Sequence, residues 1–156
     1  MITFDTYESA LGAVTADTGQ EIFDPATGEL IGIAALSTTA DLEAAIKTAR
    51  AAQKSFAQLS EAERCDALLK MADAIEANAE PLAQLLSREQ GKPLNGPNAR
   101  FEVGACAAWL RATASFDSPD FTAVDADVKA IVRYRPLGVV GAIGPWNWPS
   151  GRLRQH

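Results

Sequence analysis

The segment from Pro136 to Pro149 constrains the fold more than any other part of this 156-residue sequence. It reads Pro-Leu-Gly-Val-Val-Gly-Ala-Ile-Gly-Pro-Trp-Asn-Trp-Pro, so that an apolar, β-branched run leads into a Pro-Trp-Asn turn. Such a run predicts a buried strand, and buried strands that end in a turn are where α/β enzymes usually place their chemistry. The turn presents an amide side chain, that of Asn147.

Four helices are predicted between residues 38 and 116, because apolar residues recur there at three- and four-residue steps. The first is expected to bury one face formed by Leu42, Ala45, Ile46, Ala49 and Phe56. The predicted boundary residues are the capping pair Thr38 and Asp41, the capping box that begins at Ser60, Pro81 in a first turn, and Gly91 at a helix end.

Short strands and turns are predicted on both sides of the helical region. Residues 1–37 are interpreted as strands and turns, with a hairpin about the Pro25–Gly28 turn. Residues 121–135 contain two β-prone runs about Asp125-Ala-Asp127. This second hairpin is expected to be exposed, and an exposed hairpin needs a partner edge.

Composition and charge exclude several classes of function. The formal net charge is −6 and no basic cluster is present, which argues against nucleic acid or an anionic membrane as a partner. No secretory signal and no membrane-spanning run is visible, so the expected compartment is the cytoplasm. The two cysteines, Cys65 and Cys106, lack metal-ligand spacing and suggest no disulfide, and no metal site is expected.

The last seven residues, 150–156, depart from the composition of the rest. They are polar, contain two arginines, and end in the only histidine of the sequence. A predicted buried strand and turn followed by such a segment suggests truncation, a frame change or an artificial tail. Residues 150–156 are therefore expected to be a non-family tail.

Four stretches of the sequence together resemble the NAD(P)-dependent aldehyde dehydrogenase superfamily. Arg135 to Pro149 resembles its signature stretch, Asp24-Pro-Ala-Thr-Gly-Glu resembles an early turn with Asp in place of Asn, and Glu89-Gln-Gly-Lys-Pro resembles a second turn. The helix that holds Glu102 and Trp109, followed by the 121–135 hairpin, stands in the matching order. The resemblance covers nearly all of residues 20–149.

The resemblance implies a fold class and a chemistry. The fold would be α/β, with residues 1–120 and 136–149 as part of a Rossmann-like dinucleotide-binding domain on an incomplete parallel sheet, and 121–135 as an oligomerisation hairpin. The family oxidises small aldehydes with NAD or NADP through a thiolate nucleophile. By resemblance, Asn147 donates a hydrogen bond to the developing oxyanion. The implied cofactor-binding residues are Ile143, Gly144, Pro145 and Trp146.

By the same resemblance, essential parts of the family's site lie downstream of Pro149. These are the nucleophilic cysteine, the catalytic glutamate, the cofactor lysine and the phosphate-facing glycine loop. Cys65 and Cys106 do not occupy the nucleophile's motif. The 156-residue chain is therefore expected to be an opening fragment, inactive by itself, and to form homo-oligomers only as part of a full-length protein.

Other interpretations of the same residues stay open. Asn147 could simply satisfy backbone groups in a turn. The glycines at 138, 141 and 144 superficially suggest a dinucleotide loop, but close backbone packing in a strand is preferred. Lys92 fits a helix C-terminus better than a phosphate site. The chain could also be an interaction module that pairs with a full-length relative, or the non-functional product of an interrupted gene.

Overall fold

The computed structural model describes residues 2–117, 119–125 and 128–148 of the chain. The residues from 150 to 156, predicted to be a non-family tail, lie outside the described residues, as do Ala126 and Asp127 of the predicted hairpin turn. The elements in chain order are α1 Tyr7–Val14, β1 Gln20–Phe23, β2 Leu30–Ala34, α2 Thr39–Phe56, α3 Glu61–Ala77, α4 Ala79–Gln90, α5 Ala99–Ala114, β3 Phe121–Asp125 and β4 Val128–Val132.

The four predicted helices are confirmed, together with the residues expected to bound them. Thr38 and Ser60 each accept a hydrogen bond from the backbone N–H three residues on, and the carboxylates of Asp41 and Glu63 complete the two capping boxes. Gly91 ends α4 in the left-handed conformation, with φ of 65°. Side-chain caps satisfy backbone donors that a helix end leaves free, so these short signals define helix ends reliably.

The N-terminal region contains a helix that the sequence interpretation missed. Residues 1–37 were predicted as strands and turns, and the hairpin of β1 and β2 is confirmed, but α1 precedes it. Thr6 and Ser9 form a reciprocal capping box at its start, a signal weaker than the usual pairing with Glu or Gln. The buried Asn78 side chain holds the residues before α1, accepting from Phe4 N at 2.7 Å and donating to Ile2 O at 3.0 Å.

The core lies where α5 packs against α3 and α4. On the α3 side, Ala72, Ala107 and Leu110 are buried together, with Leu68 and Ile75 packed against them. Small side chains at this crossing let the two helices approach closely, while burial of a leucine stabilises the contact by about 2 kcal/mol. On the α4 side the buried residues are Ala83, Ala99 and Val103.

The buried face of α5 includes a carboxylate. Trp109, by which this helix was identified in the sequence, is 42% exposed, and the other large apolar residue, Phe101, is 53% exposed. The stripe that faces α3 and α4 instead contains Val103, Cys106 and the fully buried Glu102. A buried carboxylate is costly unless it is paired, so Glu102 points to a polar function inside the fold.

The apolar face of α2 is not buried by the described residues, contrary to expectation. No residue of α2 is buried, and Leu42 and Phe56 are about half exposed or more. The periodic pattern correctly predicted the helix, but a pattern specifies only that a face is apolar, not which part of the chain covers it.

The sheet structure also differs from the prediction. The described strands form two separate antiparallel pairs, β1 with β2 and β3 with β4, and no parallel pair occurs among them. Residues 136–148 are not a buried strand but an irregular, largely exposed segment. A parallel strand is stabilised by neighbouring strands and by helices on both faces, and the described residues supply no neighbour for it. The exposed 121–135 hairpin is confirmed in its pairing.

None of the helices in the described part of the chain is long and apolar enough to cross a membrane.

The ion pair between Glu80 of α4 and Arg100 of α5 predicts that the stability of the fold depends on pH. Arg100 donates to the Glu80 carboxylate from Nε at 2.8 Å and from Nη2 at 2.7 Å. This pairing lowers the pKa of Glu80 from 4.5 to about 2. Because the folded pKa is depressed, the stabilisation is complete above pH 4.5 and is lost as the pH falls towards 2. NMR titration of the Glu80 side chain measures this, and in the variant Arg100→Met the midpoint should return towards its ordinary value. An unchanged midpoint in that variant would contradict the pairing.

Candidate functional site

The Pro-Trp-Asn sequence forms a tight turn at the C-terminal end of the described chain. The backbone N–H of Trp148 donates to the carbonyl of Pro145 at 3.3 Å, closing the turn around Trp146 and Asn147. Asn147 is exposed, and its carboxamide has no hydrogen-bond partner among the described residues. A free amide donor on a closed turn is available to a ligand.

Two side chains from the end of α4 hold the backbone of this turn. The Gln90 amide Nε2 donates to the carbonyl oxygen of Trp146 at 2.7 Å. The Lys92 ammonium donates to the carbonyl oxygen of Asn147, also at 2.7 Å. The turn is therefore attached to the helical core through two consecutive carbonyl groups.

Lys92 is itself fixed by the buried carboxylate of α5. Its ammonium donates to Glu102 Oε2, and the exposed fractions of the two side chains are 15% and 1%. Hydrogen bonds between ionised partners are stronger than neutral ones, particularly away from water. Glu102 thus orients the Lys92 ammonium toward the turn, which is the polar function that its burial indicated.

Aromatic contacts complete the attachment. The Trp148 ring packs edge-on against the Phe101 ring, with centroids 6.0 Å apart. The Lys92 ammonium lies 5.7 Å from the centre of the Trp148 ring, within the range of a cation–π attraction. Trp148 is half-buried, whereas Trp146, which precedes Asn147, is 74% exposed.

The early Asp-Pro turn supports the end of α4. Asp24 accepts hydrogen bonds from Ala26 N through its side chain and from Gly28 N through its carbonyl, at 2.8 and 2.7 Å. Pro25 packs directly on Gly91, where an added Cβ would lie 2.7 Å from Pro25 Cγ. Only glycine fits there, because of that contact and the positive φ. Residues from all four motifs therefore meet at the end of α4, with Glu102 as the contribution of α5.

The predicted cofactor-binding residues lie on the chain that leads into the turn. Ile143 is 82% exposed, Gly144 is exposed, Pro145 is partly exposed, and Trp146 presents its indole to solvent. Exposed apolar side chains beside an open glycine backbone make a surface that a flat ring can contact. These four residues directly precede Asn147 in the sequence, and all of them are accessible to solvent except for part of Pro145.

Neither cysteine lies at this turn. Cys106 is buried in the α5 face, and Cys65 is half-buried beside a groove of about 770 Å³ between α3, α5 and residues 134–140. The Pro145–Trp148 turn does not line that groove. Neither cysteine forms a disulfide. Among the described residues no three histidine, cysteine or acidic side chains are grouped so that they could hold a metal ion.

The anchoring contacts of Gln90, Lys92 and Glu102 were not predicted from the sequence. Lys92 was assigned to a helix C-terminus, and it does follow one, but its ammonium reaches across to the turn. The signal available in the sequence was Glu102, a carboxylate four residues before Cys106 on a face of α5 that is otherwise apolar. Such a residue predicts a buried cationic partner, and lysines and arginines nearby in sequence are the first candidates.

Comparison with known proteins agrees with the motifs. Residues 13–153 match the aldehyde dehydrogenase family, so the chain belongs to that family. A probable succinate-semialdehyde dehydrogenase [NADP(+)] of Sinorhizobium fredii is 38% identical over 136 residues, which are 85% of this chain and 27% of that protein.

Solved structures give the same result. An aldehyde dehydrogenase mutant from Bacillus cereus superposes with a TM-score of 0.83 at 29% identity, covering 99% of this chain and 35% of that one. The NAD+ complex of aldehyde dehydrogenase from Bacillus cereus superposes with a TM-score of 0.78 at 32% identity, covering 88% and 29%. The chain thus spans about a third or less of the length of these relatives.

Proposed function

We propose that this chain supplies the oxyanion donor and part of the cofactor site of an enzyme that oxidises small aldehydes with NAD or NADP. The observation that carries the proposal is the anchored turn. Asn147 stands exposed on a turn whose backbone is bonded to Gln90 and Lys92, in a chain that belongs to the aldehyde dehydrogenase family.

The chemistry proposed for Asn147 is stabilisation of negative charge. A thiolate attacks the aldehyde carbon, a sulfur–carbon bond forms, and the electron pair of the carbonyl π bond moves to oxygen. The carboxamide N–H of Asn147 donates to that oxygen as charge develops. One fixed donor of this kind lowers the barrier by about 3 kcal/mol, because the donor costs no reorganisation during the reaction.

The residues next to Asn147 fit the nicotinamide cofactor that the family uses. Ile143 and Trp146 offer exposed apolar surface, and Gly144 leaves its backbone accessible between them. These residues and Pro145 would hold one side of the cofactor. When bound there, NAD or NADP would supply the hydride acceptor for the oxidation. The relatives support both cofactors, since one is named for NADP and another was solved with NAD+.

The domain roles extend this proposal. Residues 1–120 and 136–149 would contribute to a Rossmann-like dinucleotide-binding domain, in which residues 136–148 become a strand of a parallel sheet once neighbouring strands are present. The 121–135 hairpin would make contacts between subunits of a homo-oligomer. A reducing compartment such as the cytoplasm fits Cys65 and Cys106, neither of which forms a disulfide.

The chain by itself is expected to be inactive. Cys106 is buried and Cys65 lies beside a different groove, so neither thiol stands beside Asn147. The purified 156-residue chain should form no NADH or NADPH when an aldehyde is added. Turnover at an enzymatic rate would contradict this assignment of the cysteines.

A hybrid enzyme tests the function directly. In it, this chain replaces the segment that it matches in the Sinorhizobium fredii relative. The hybrid enzyme should reduce NAD or NADP when a semialdehyde is added. A folded hybrid enzyme without activity would contradict the proposal.

A second candidate function is regulation of a full-length relative through the hairpin. The observation that favours it is the exposure of Ile131 and Tyr134, at 48% and 65%. If the hairpin binds a relative, the chain should co-purify with a full-length aldehyde dehydrogenase, and replacing both residues by lysine should abolish the complex. Co-purification that survives both replacements, or no complex at all, would reject this candidate.

A further inference from the structure

We propose that Lys92 and Gln90 are positioning residues that fix the direction of the Asn147 side chain, with Glu102 holding Lys92 in place. The proposal rests on the function proposed for Asn147. It assigns to two side chains at the end of α4 the task of presenting the oxyanion donor.

The two hydrogen bonds fix the two peptide groups on either side of Asn147. The Trp146 carbonyl belongs to the peptide that precedes the Asn147 Cα, and the Asn147 carbonyl belongs to the peptide that follows it. Gln90 bonds the first and Lys92 bonds the second, each at 2.7 Å. Because peptide groups are planar, holding both planes fixes φ and ψ of Asn147, and these set the direction of its Cα–Cβ bond.

The two anchors are held rigidly on the side of the core. Gly91, between them, is restricted by its left-handed conformation and by Pro25. Lys92 is drawn toward the interior by the buried carboxylate of Glu102. A donor placed within about 0.5 Å of its productive position needs supports whose own rotamers are fixed, and this arrangement supplies them.

The pattern of contacts distinguishes positioning from ordinary packing. Both anchors act on backbone carbonyls of the turn, and neither touches the Asn147 carboxamide, which stays free for a ligand. The Lys92 ammonium also lies 5.7 Å from the centre of the Trp148 ring, the residue that follows Asn147.

NMR of the 15N-labelled 156-residue chain tests the proposal. The chain has three tryptophans, so the indole signals of Trp146 and Trp148 can be assigned by single replacements with phenylalanine. In the double variant Lys92→Met/Glu102→Met, which removes both charges of the pair, amide exchange at Trp148 should accelerate by about tenfold or more as the turn opens. The Asn147 backbone and carboxamide signals should move towards random-coil positions.

Matched variants separate positioning from loss of fold. Lys70→Met, at an exposed lysine on α3, should leave the turn signals unchanged. Lys92→Arg keeps a donor for both Glu102 and the Asn147 carbonyl, so the turn in this variant should stay nearly as ordered as in the parent chain. Gln90→Met removes the other bond without touching the buried ion pair, and should loosen Asn147 even if the double variant fails to fold.

The proposal is overturned if the turn remains as ordered in Gln90→Met and in the folded double variant as in the parent chain. It is also overturned if Lys70→Met disturbs the turn as much as they do. The readout is the order of the turn and not turnover, so a failure of the proposed function would appear separately, as activity of the hybrid enzyme that does not depend on Asn147.

Discussion

Replacing Asn147 by alanine in the hybrid enzyme should lower kcat by about 10²- to 10³-fold, with a smaller change in KM. The amide is expected to bind the oxygen more strongly as negative charge develops than in the neutral aldehyde. Its loss therefore raises the barrier without an equal loss of substrate affinity. Steady-state kinetics with a semialdehyde measure both parameters.

The matched control for this variant is Asn95→Ala. Asn95 is another exposed asparagine, in the connection between α4 and α5, and its carboxamide accepts from Arg100 and not from the turn. Its replacement should leave kcat within about twofold of the parent, as expected for surface substitutions outside a site. Equal kinetics of the two variants would remove Asn147 from the mechanism.

Replacing Leu110 by alanine should lower the free energy of unfolding by about 3 kcal/mol. Leu110 is 4% exposed and fills the contact between α3 and α5 together with Ala72 and Ala107. Its buried neighbours Ala72 and Ala107 are small and lie on regular helices, so the substitution leaves a cavity in addition to losing apolar contact. Urea unfolding of the 156-residue chain, followed by far-UV circular dichroism, measures the change.

Leu42→Ala is the matched control for the core. Leu42 is also a helical leucine, but it lies on the exposed face of α2 and is 59% accessible. Its replacement should change the free energy of unfolding by about 0.5 kcal/mol or less, because alanine and leucine favour helices similarly and the Leu42 side chain buries little apolar surface. A cost comparable to that of Leu110→Ala would mean that the α2 face is covered in solution.

Local signals predicted the helices well because each rests on interactions within a few residues. The capping boxes that begin at Thr38 and Ser60 are confirmed with their reciprocal hydrogen bonds, and Gly91 ends α4 as predicted. The helix α1 was missed because Ser9 replaces the usual longer acid or amide in its capping box. A short helix with a weak cap is difficult to distinguish from a turn.

Features that depend on distant parts of a chain were predicted less well. The apolar run at Val139, Val140 and Ile143 has the composition of a buried strand, yet these residues are exposed and lie outside the described strands. Strand formation depends on neighbouring strands more than on local preference. The apolar face of α2 likewise depends on another part of the chain to cover it, and the described residues do not bury it.

The sequence singled out one residue of the candidate site, Asn147, whose role stays a prediction. It gave no prediction for the side chains that hold the turn. The Pro-Trp-Asn motif singled out Asn147, and the four motifs predicted the family correctly. The links that join those motifs, from Gln90 and Lys92 to the turn and from Glu102 to Lys92, connect residues 10 to 56 positions apart. No periodicity encodes such contacts, although a carboxylate on the apolar face of α5 gave a usable indication.

The most direct test of the central claim is a crystal structure of the hybrid enzyme with its aldehyde adduct. The claim is that the anchored turn aims the Asn147 carboxamide at the former carbonyl oxygen. We expect a distance of about 2.7–3.1 Å between Asn147 Nδ2 and that oxygen, the range required of an oxyanion donor. A carboxamide that points away from the adduct, with the oxygen bonded by other groups, would contradict the claim.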